Sequence, residues 1–164
     1  MVATNPVGRT PLCAKIREVV NTVRMRQGEF RANGTRALVV IASDGEPSDG
    51  DVEAALQPLK DLPVHVVVRL CTDEQNVVDF WARVDEDLEF PLDVLDDIIG
   101  EAEEIRECNP FLAYGLPLHR LREWGCSSVV VDLLDEPTLT TAQLQQLVSF
   151  LYGNEMTGHL PHPD

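Results

Sequence analysis

Basic residues are scarce in this sequence: 13 lysines and arginines stand against 28 aspartates and glutamates. The formal net charge is −15 and the isoelectric point is near 4.5. A protein of this charge repels nucleic acid and anionic membrane surfaces, so neither is expected as a partner. A cation or a basic protein surface suits it better. Much of the acidity lies between Asp85 and Glu107, and such a run is also typical of a solvated face.

Targeting and spanning segments are missing as well. Met1 to Leu12 has neither the basic start nor the apolar centre of a secretory signal, and no apolar run approaches the length that crosses a bilayer. The four cysteines are far apart and form no CxxC pair, which argues against a zinc site and favours free thiols in a reducing compartment. We therefore expect a cytoplasmic protein. The cysteines are Cys13, Cys71, Cys108 and Cys126.

Catalytic motifs are absent too. There is no phosphate-binding glycine loop and no Gly-x-Ser-x-Gly elbow, and Ser48 has no histidine near it in the sequence. The loop after Asp44 is not an EF-hand, because Asp49 occupies the glycine position and Ala55 the position of the bidentate glutamate. Of the histidines, His65 is predicted to be a satisfied core residue and His119 a surface residue. We expect no enzyme activity.

Three apolar runs predict strands, at 37–42, 64–71 and 129–134. The first run is apolar at every position, as in a strand buried on both faces. Helical spacing or capping residues predict helices before, between and after these strands. The first helix is capped by Thr10, begins at Pro11 and ends near Gln27. The remaining predicted helices are 51–57, 74–84, 92–105, a short one from Pro117, and 140–151.

Helices that alternate with apolar strands predict an α/β fold with parallel strands and right-handed crossovers. We expect one domain over residues 1–152 and a polar tail over 153–164. Three strands make a small sheet, since sheets average about five or six.

Asp44 and Thr10 are the candidate site residues. Thr10 precedes the first helix and Asp44 ends the strand that follows it, so both belong to the carboxyl edge of a parallel sheet, where open α/β sheets bind ligands. A hydroxyl and a carboxylate are hard ligands that suit Mg²⁺, Mn²⁺ or Ca²⁺. Ser48 and Asp49 could add oxygens. The plainer alternatives are a turn-forming Asp-Gly for Asp44, a helix cap for Thr10, and a cap of the helix near Asp51 for Asp49.

The segment Gly8-Arg9-Thr10-Pro11-Leu12, the helix after it and the strand that ends in Ser43-Asp44-Gly45 together resemble part of a von Willebrand factor type A (vWA) domain. The resemblance covers residues 8–73. It implies a Rossmann-like parallel sheet with helices on both faces and a metal-ion-dependent adhesion site. Thr10 matches the threonine of that site, and Asp44 matches its Asp-Gly element.

The Asp-x-Ser-x-Ser element of that family is absent, and the strands that carry it would precede this chain. The resemblance therefore implies a sheet that lacks its first strands, with one apolar edge left open, and a weak or partial cation site. The first hypothesis is a protein-interaction domain whose cation is completed by an acidic residue of the partner. The alternative is a metal-independent scaffold or subunit fragment that pairs through its open sheet edge.

Overall fold

The computed structural model describes residues 11–88, 92–126, 128–136 and 138–153. These residues form two compact units, the first ending at Val94 and the second beginning at Leu95. The fold is mixed α/β, as the sequence predicts. The single-domain boundary at residue 152 stays a prediction. Within the described ranges, no helix combines the length and apolarity that crossing a membrane requires.

The amino-terminal unit alternates helices and strands. Its elements are α1 (Leu12–Asn33), β1 (Ala37–Ser43), α2 (Val52–Leu56), a 3₁₀ turn (Gln57–Leu59), β2 (Val64–Leu70), α3 (Gln75–Asp87) and β3 (Leu92–Leu95), which reaches the junction with the second unit. The strands form one sheet in the order β1–β2–β3, and β1 runs parallel to β2 from the Ala37–Val64 pair to the Ser43–Leu70 pair.

Helices α1, α2 and α3 pack against one face of this sheet. Apolar residues from all three helices form one buried cluster with alternate residues of β1 and β2. On β1, Ile41 and Ser43 are buried, whereas Leu38, Val40 and Ala42 are exposed. The prediction that this strand is buried on both faces is therefore wrong, although its position is confirmed. The second helical layer implied by the family resemblance stays a prediction.

Helix α1 is longer than predicted. It passes Gly28 and ends at Asn33, because Phe30 still packs against the core and no residue before Gly34 stops it. Gly34 has φ of 62°, in the left-handed region, and its N–H donates to the Arg31 carbonyl at 3.3 Å. Such a glycine is a common helix terminator, since it carries no Cβ penalty there.

The carboxyl-terminal unit is helical apart from the end of β3. Its helices are α4 (Ile98–Cys108), α5 (Leu116–Glu123), α6 (Val129–Asp132) and α7 (Thr141–Tyr152). Thr140 caps α7 through a capping box with Gln143, as the sequence predicts for that threonine. Val130, Val131 and Leu134 pack with apolar residues of α4 and α7 in the core of this unit.

Two predicted elements of this region are wrong. The strand predicted over 129–134 is helical, because a short apolar run fits a buried helix as well as a strand and here packs against helices. The helix predicted over 92–105 is instead β3 followed by α4. Asp97 separates the two, since its carboxylate accepts the Ile99 and Gly100 N–H groups at 2.8 Å each and so begins α4.

Candidate functional site

Asp44 lies directly after β1 in a turn that its neighbours hold in place. The Ser43 hydroxyl donates to the Gly45 carbonyl at 2.7 Å, and the Trp81 indole N–H donates to the same oxygen at 3.4 Å. Ser43 and Trp81 are buried, whereas Asp44 is exposed. Side-chain bonds therefore fix the backbone of the turn while the Asp44 carboxylate faces solvent.

Thr10, the predicted companion of Asp44, lies outside the described residues. The helix that it was expected to cap begins at Leu12, with Pro11 at the capping position. The convergence of Thr10 and Asp44 on one cation thus stays a prediction. Among the residues the structure describes, no three histidine, cysteine or acidic side chains are grouped so that they could hold a metal ion.

Asp49 acts as a helix cap, but for α1 and not for the helix near Asp51. Its two carboxylate oxygens accept the N–H groups of Cys13 at 2.9 Å and of Ala14 at 2.8 Å. Asp51 caps α2 itself, by accepting the Ala54 N–H at 3.1 Å. Desolvation acts to raise the pKa of Asp49, but the two backbone N–H groups outweigh it and the pKa lies below its ordinary value.

The thiol of Cys13 is buried beside this cap. Burial is the larger reason that the pKa of this thiol lies above its ordinary value, and the hydrogen bond to Asp49 raises the pKa further. All four cysteines are free, as predicted. Cys13 lies in the core, whereas Cys71 is exposed because it follows the last buried residue of β2.

The outer edge of β1 is open among the described residues. The Ala37 N–H donates to Pro63 and the Ser43 carbonyl accepts from Cys71, so the odd-numbered residues direct their backbone groups toward β2. The N–H and C=O groups of Leu38, Val40 and Ala42 therefore point away from β2, because backbone direction alternates along a strand. These are the groups that an added strand would use.

An apolar groove of about 240 Å³ runs beside this edge. The strand side of the groove is residues 39–42, and the helix side includes Leu12, Ile16 and Val19 of α1. Leu38 and Val40 are 38% and 49% exposed. Large apolar side chains at an unpaired strand edge are typical of a surface that another chain covers.

His65 on β2 contacts Asp93 on β3. The His65 Nε2 lies 2.9 Å from the Asp93 carboxylate, and the imidazole is buried. Its Nδ1 has no hydrogen-bond partner among the described residues. The prediction of a fully satisfied core histidine is therefore right for one ring nitrogen and wrong for the other.

A buried charge cluster lies in the carboxyl-terminal unit, and no local sequence pattern predicts it. Arg122 forms ion pairs with both Glu101 and Asp135, and Glu101 also accepts the Asp96 N–H at 2.9 Å. Burial raises the pKa of Glu101 to about 7, against the attraction of Arg122. The arrangement fastens α4, α5 and the segment after α6 to one another.

His119 lies next to this cluster and is 1% exposed, so the prediction of a surface histidine is wrong. Its Nδ1 is 3.1 Å from the Tyr114 hydroxyl, and burial raises the pKa of Tyr114 to about 12. His119 and Arg122 share one stripe of α5 with the buried Leu118. That helical spacing was the available signal, and the charge of the residues obscured it.

No protein-family profile, curated protein or solved structure matches this chain. The geometry of its own residues therefore carries the functional argument.

Proposed function

We propose that the chain is a protein-interaction domain of vWA type that binds its partner by adding a strand to the open edge of β1. One observation carries the proposal: Leu38 and Val40 are exposed on an end strand whose outward backbone groups are unpaired among the described residues. Strand addition satisfies such groups and covers such side chains at once. The parallel α/β arrangement of β1 and β2 is consistent with the resemblance.

The test is a peptide selection with a backbone-specific variant. A displayed library of extended peptides is selected against the full chain, and the binders are then titrated against wild type and Val40→Pro by fluorescence anisotropy. Proline removes the outward N–H of residue 40, and an edge strand tolerates it at such a position. We expect binding to fall by about tenfold or more. Equal binding to both proteins, or no selected peptide at all, would contradict edge recognition.

A divalent cation at the carboxyl end of β1 is a second candidate. The exposed Asp44 carboxylate in its fixed turn favours it, since a hard cation could bind there with Thr10 and an acidic residue of the partner. One protein carboxylate and one hydroxyl leave most of the shell to water, so the site would be weak. Titration calorimetry with Mg²⁺, Mn²⁺ and Ca²⁺ on wild type and Asp44→Ala tests it; identical heats would refute it.

A further inference from the structure

The residues that flank β1 carry opposite charges at equal distances from its centre. The strand spans Ala37–Ser43, so its middle residue is Val40. Arg36 lies four residues before Val40 and Asp44 lies four residues after it. Both side chains are exposed, and neither has an ion pair or hydrogen bond among the described residues. The two ends of the strand therefore carry opposite charges, and these would face each other in two antiparallel copies of the strand.

We infer that the strand added to this edge is β1 of a second copy of the chain, paired antiparallel about a two-fold axis at Val40. The inference rests on the proposed edge recognition and names its occupant. Two identical edges related by a two-fold axis perpendicular to the sheet run antiparallel, and the contact is then self-complementary. Pairing about Val40 also gives the full overlap of the seven-residue strand with its copy.

The backbone direction agrees with this register. With Val40 on the axis, Leu38 faces Ala42 of the second copy and Val40 faces its own counterpart. All three residues direct their N–H and C=O groups outward, so each facing pair exchanges two hydrogen bonds, as the hydrogen-bonded pairs of an antiparallel ladder do. A shift by one residue would place outward groups opposite inward ones and lose the ladder.

The charges select the same register. Arg36 then faces Asp44 of the second copy, and the two-fold axis creates this contact twice. A register shifted by two residues would place the exposed Asp44 opposite Leu38 or leave Arg36 opposite Ala42. Opposite charges directly across an antiparallel ladder stabilise it, whereas like charges destabilise it. The overlap, the backbone direction and the charges therefore agree on one arrangement.

The apolar surfaces fit the arrangement as well. Leu38, Val40 and Ala42 are exposed on one face of the sheet, and cross-strand contact would cover them. On the other face, Val39 and Ile41 line the groove beside α1. The same register would place Val39 of each copy opposite Ile41 of the other, so the two grooves would meet along the pairing. The net charge of −15 opposes association of two copies, so the Arg36–Asp44 contacts offset a general repulsion.

Charge reversal tests the register directly. The dimer dissociation constant of the full chain is measured by sedimentation equilibrium at low salt for wild type, Arg36→Glu, Asp44→Arg and the double reversal. Each single reversal is expected to weaken the dimer by about tenfold or more, since both contacts become repulsive. The double reversal is expected to return it to within about threefold of wild type. Circular dichroism establishes that each variant is folded.

Two further variants keep the test specific. Arg24→Glu makes the same charge change on the exposed surface of α1 and is expected to leave the dissociation constant unchanged. Val40→Pro is expected to abolish the dimer. A wild type that stays monomeric at about 0.1 mM, or a double reversal that fails to recover, overturns the inference. If selected peptides still bind the edge of a monomeric wild type, edge recognition stands and only the second copy is refuted.

Discussion

Replacing Arg122 by methionine would remove the cation of the buried charge cluster while keeping most of its volume. The side chains of Arg122 and Glu101 are 7% and 3% exposed. Removing one partner of such a pair leaves a buried charge uncompensated and typically costs about 3–5 kcal/mol. The total free energy of unfolding of a small domain is about 5–15 kcal/mol, so Arg122→Met is expected to remove a large part of the stability.

The loss should depend on pH, and Glu101 sets the direction. Its pKa in the folded protein, about 7, lies above its ordinary value of 4.5. Between pH 4.5 and pH 7 the folded state therefore keeps a proton on Glu101 that the unfolded state releases. Binding this proton stabilises the folded state, and the stabilisation is lost as the pH rises through 7. Neutral Glu101 needs no cation, so Arg122→Met should cost less at pH 5 than at pH 7.

Urea unfolding followed by far-ultraviolet circular dichroism at both pH values measures the effect. Arg120→Met is the matched control, because Arg120 lies on the same helix with a 60% exposed side chain paired to Glu123, and it should cost less than about 1 kcal/mol. Adding Glu101→Gln to Arg122→Met should recover part of the loss at pH 7. Equal costs for the two arginines, or a loss independent of pH, would refute the reasoning.

Four other substitutions have defined outcomes. Asp49→Ala should lower the melting temperature above pH 4, and this effect should disappear as the pH falls through the pKa of folded Asp49, which lies below the ordinary 3.8. The reason is that a carboxyl with a lowered pKa stabilises the folded state only while it is ionised, and thermal unfolding measured as a function of pH tests this. Asn109→Ala should cost about 2–5 kcal/mol in urea unfolding, because fully buried Asn109 accepts the Leu139 N–H and donates to a carbonyl, and both groups lose their partner. Calorimetry should show changes in the free energy of unfolding that have opposite signs at two glycines. Gly28→Ala stabilises α1 by about 0.5–1 kcal/mol, because alanine is the better helix former. Gly34→Ala destabilises it by about 1–2 kcal/mol, because Gly34 has a positive φ that alanine adopts at a cost. Equal signs would mean that the helix does not pass Gly28.

The strands β1 and β2 could be predicted from sequence because long runs of valine and isoleucine bounded by turn residues leave few alternatives. The run at 129–134 is also rich in valine, but its length suits a short helix equally well, and only the packing against α4 and α7 decides between the two. β3 was hidden for the opposite reason. It is only four residues long, and its sequence Leu-Asp-Val-Leu also continues a helical pattern into α4.

The candidate site was predictable where it depends on strand ends and not where it depends on long-range contacts. Asp44 follows β1 as expected. The role of Asp49 depends on two N–H groups about 35 residues earlier in the chain, which no local pattern reveals. The pairing of Glu101 with Arg122 likewise joins two helices. Burial of charged residues is rare enough that a sequence argument assigns them to the surface.

Because Asp49 caps α1, the hydrogen bonds of the first turn of α1 depend on the position of the segment after β1. The amide protons of Cys13 and Ala14 are shielded only while that segment is seated. Their exchange with solvent deuterium therefore reports the opening of a loop that is remote in sequence. A strand bound at the neighbouring edge that tightens this loop would slow their exchange without touching either residue, which gives occupancy of the edge a readout that needs no label on the binding partner.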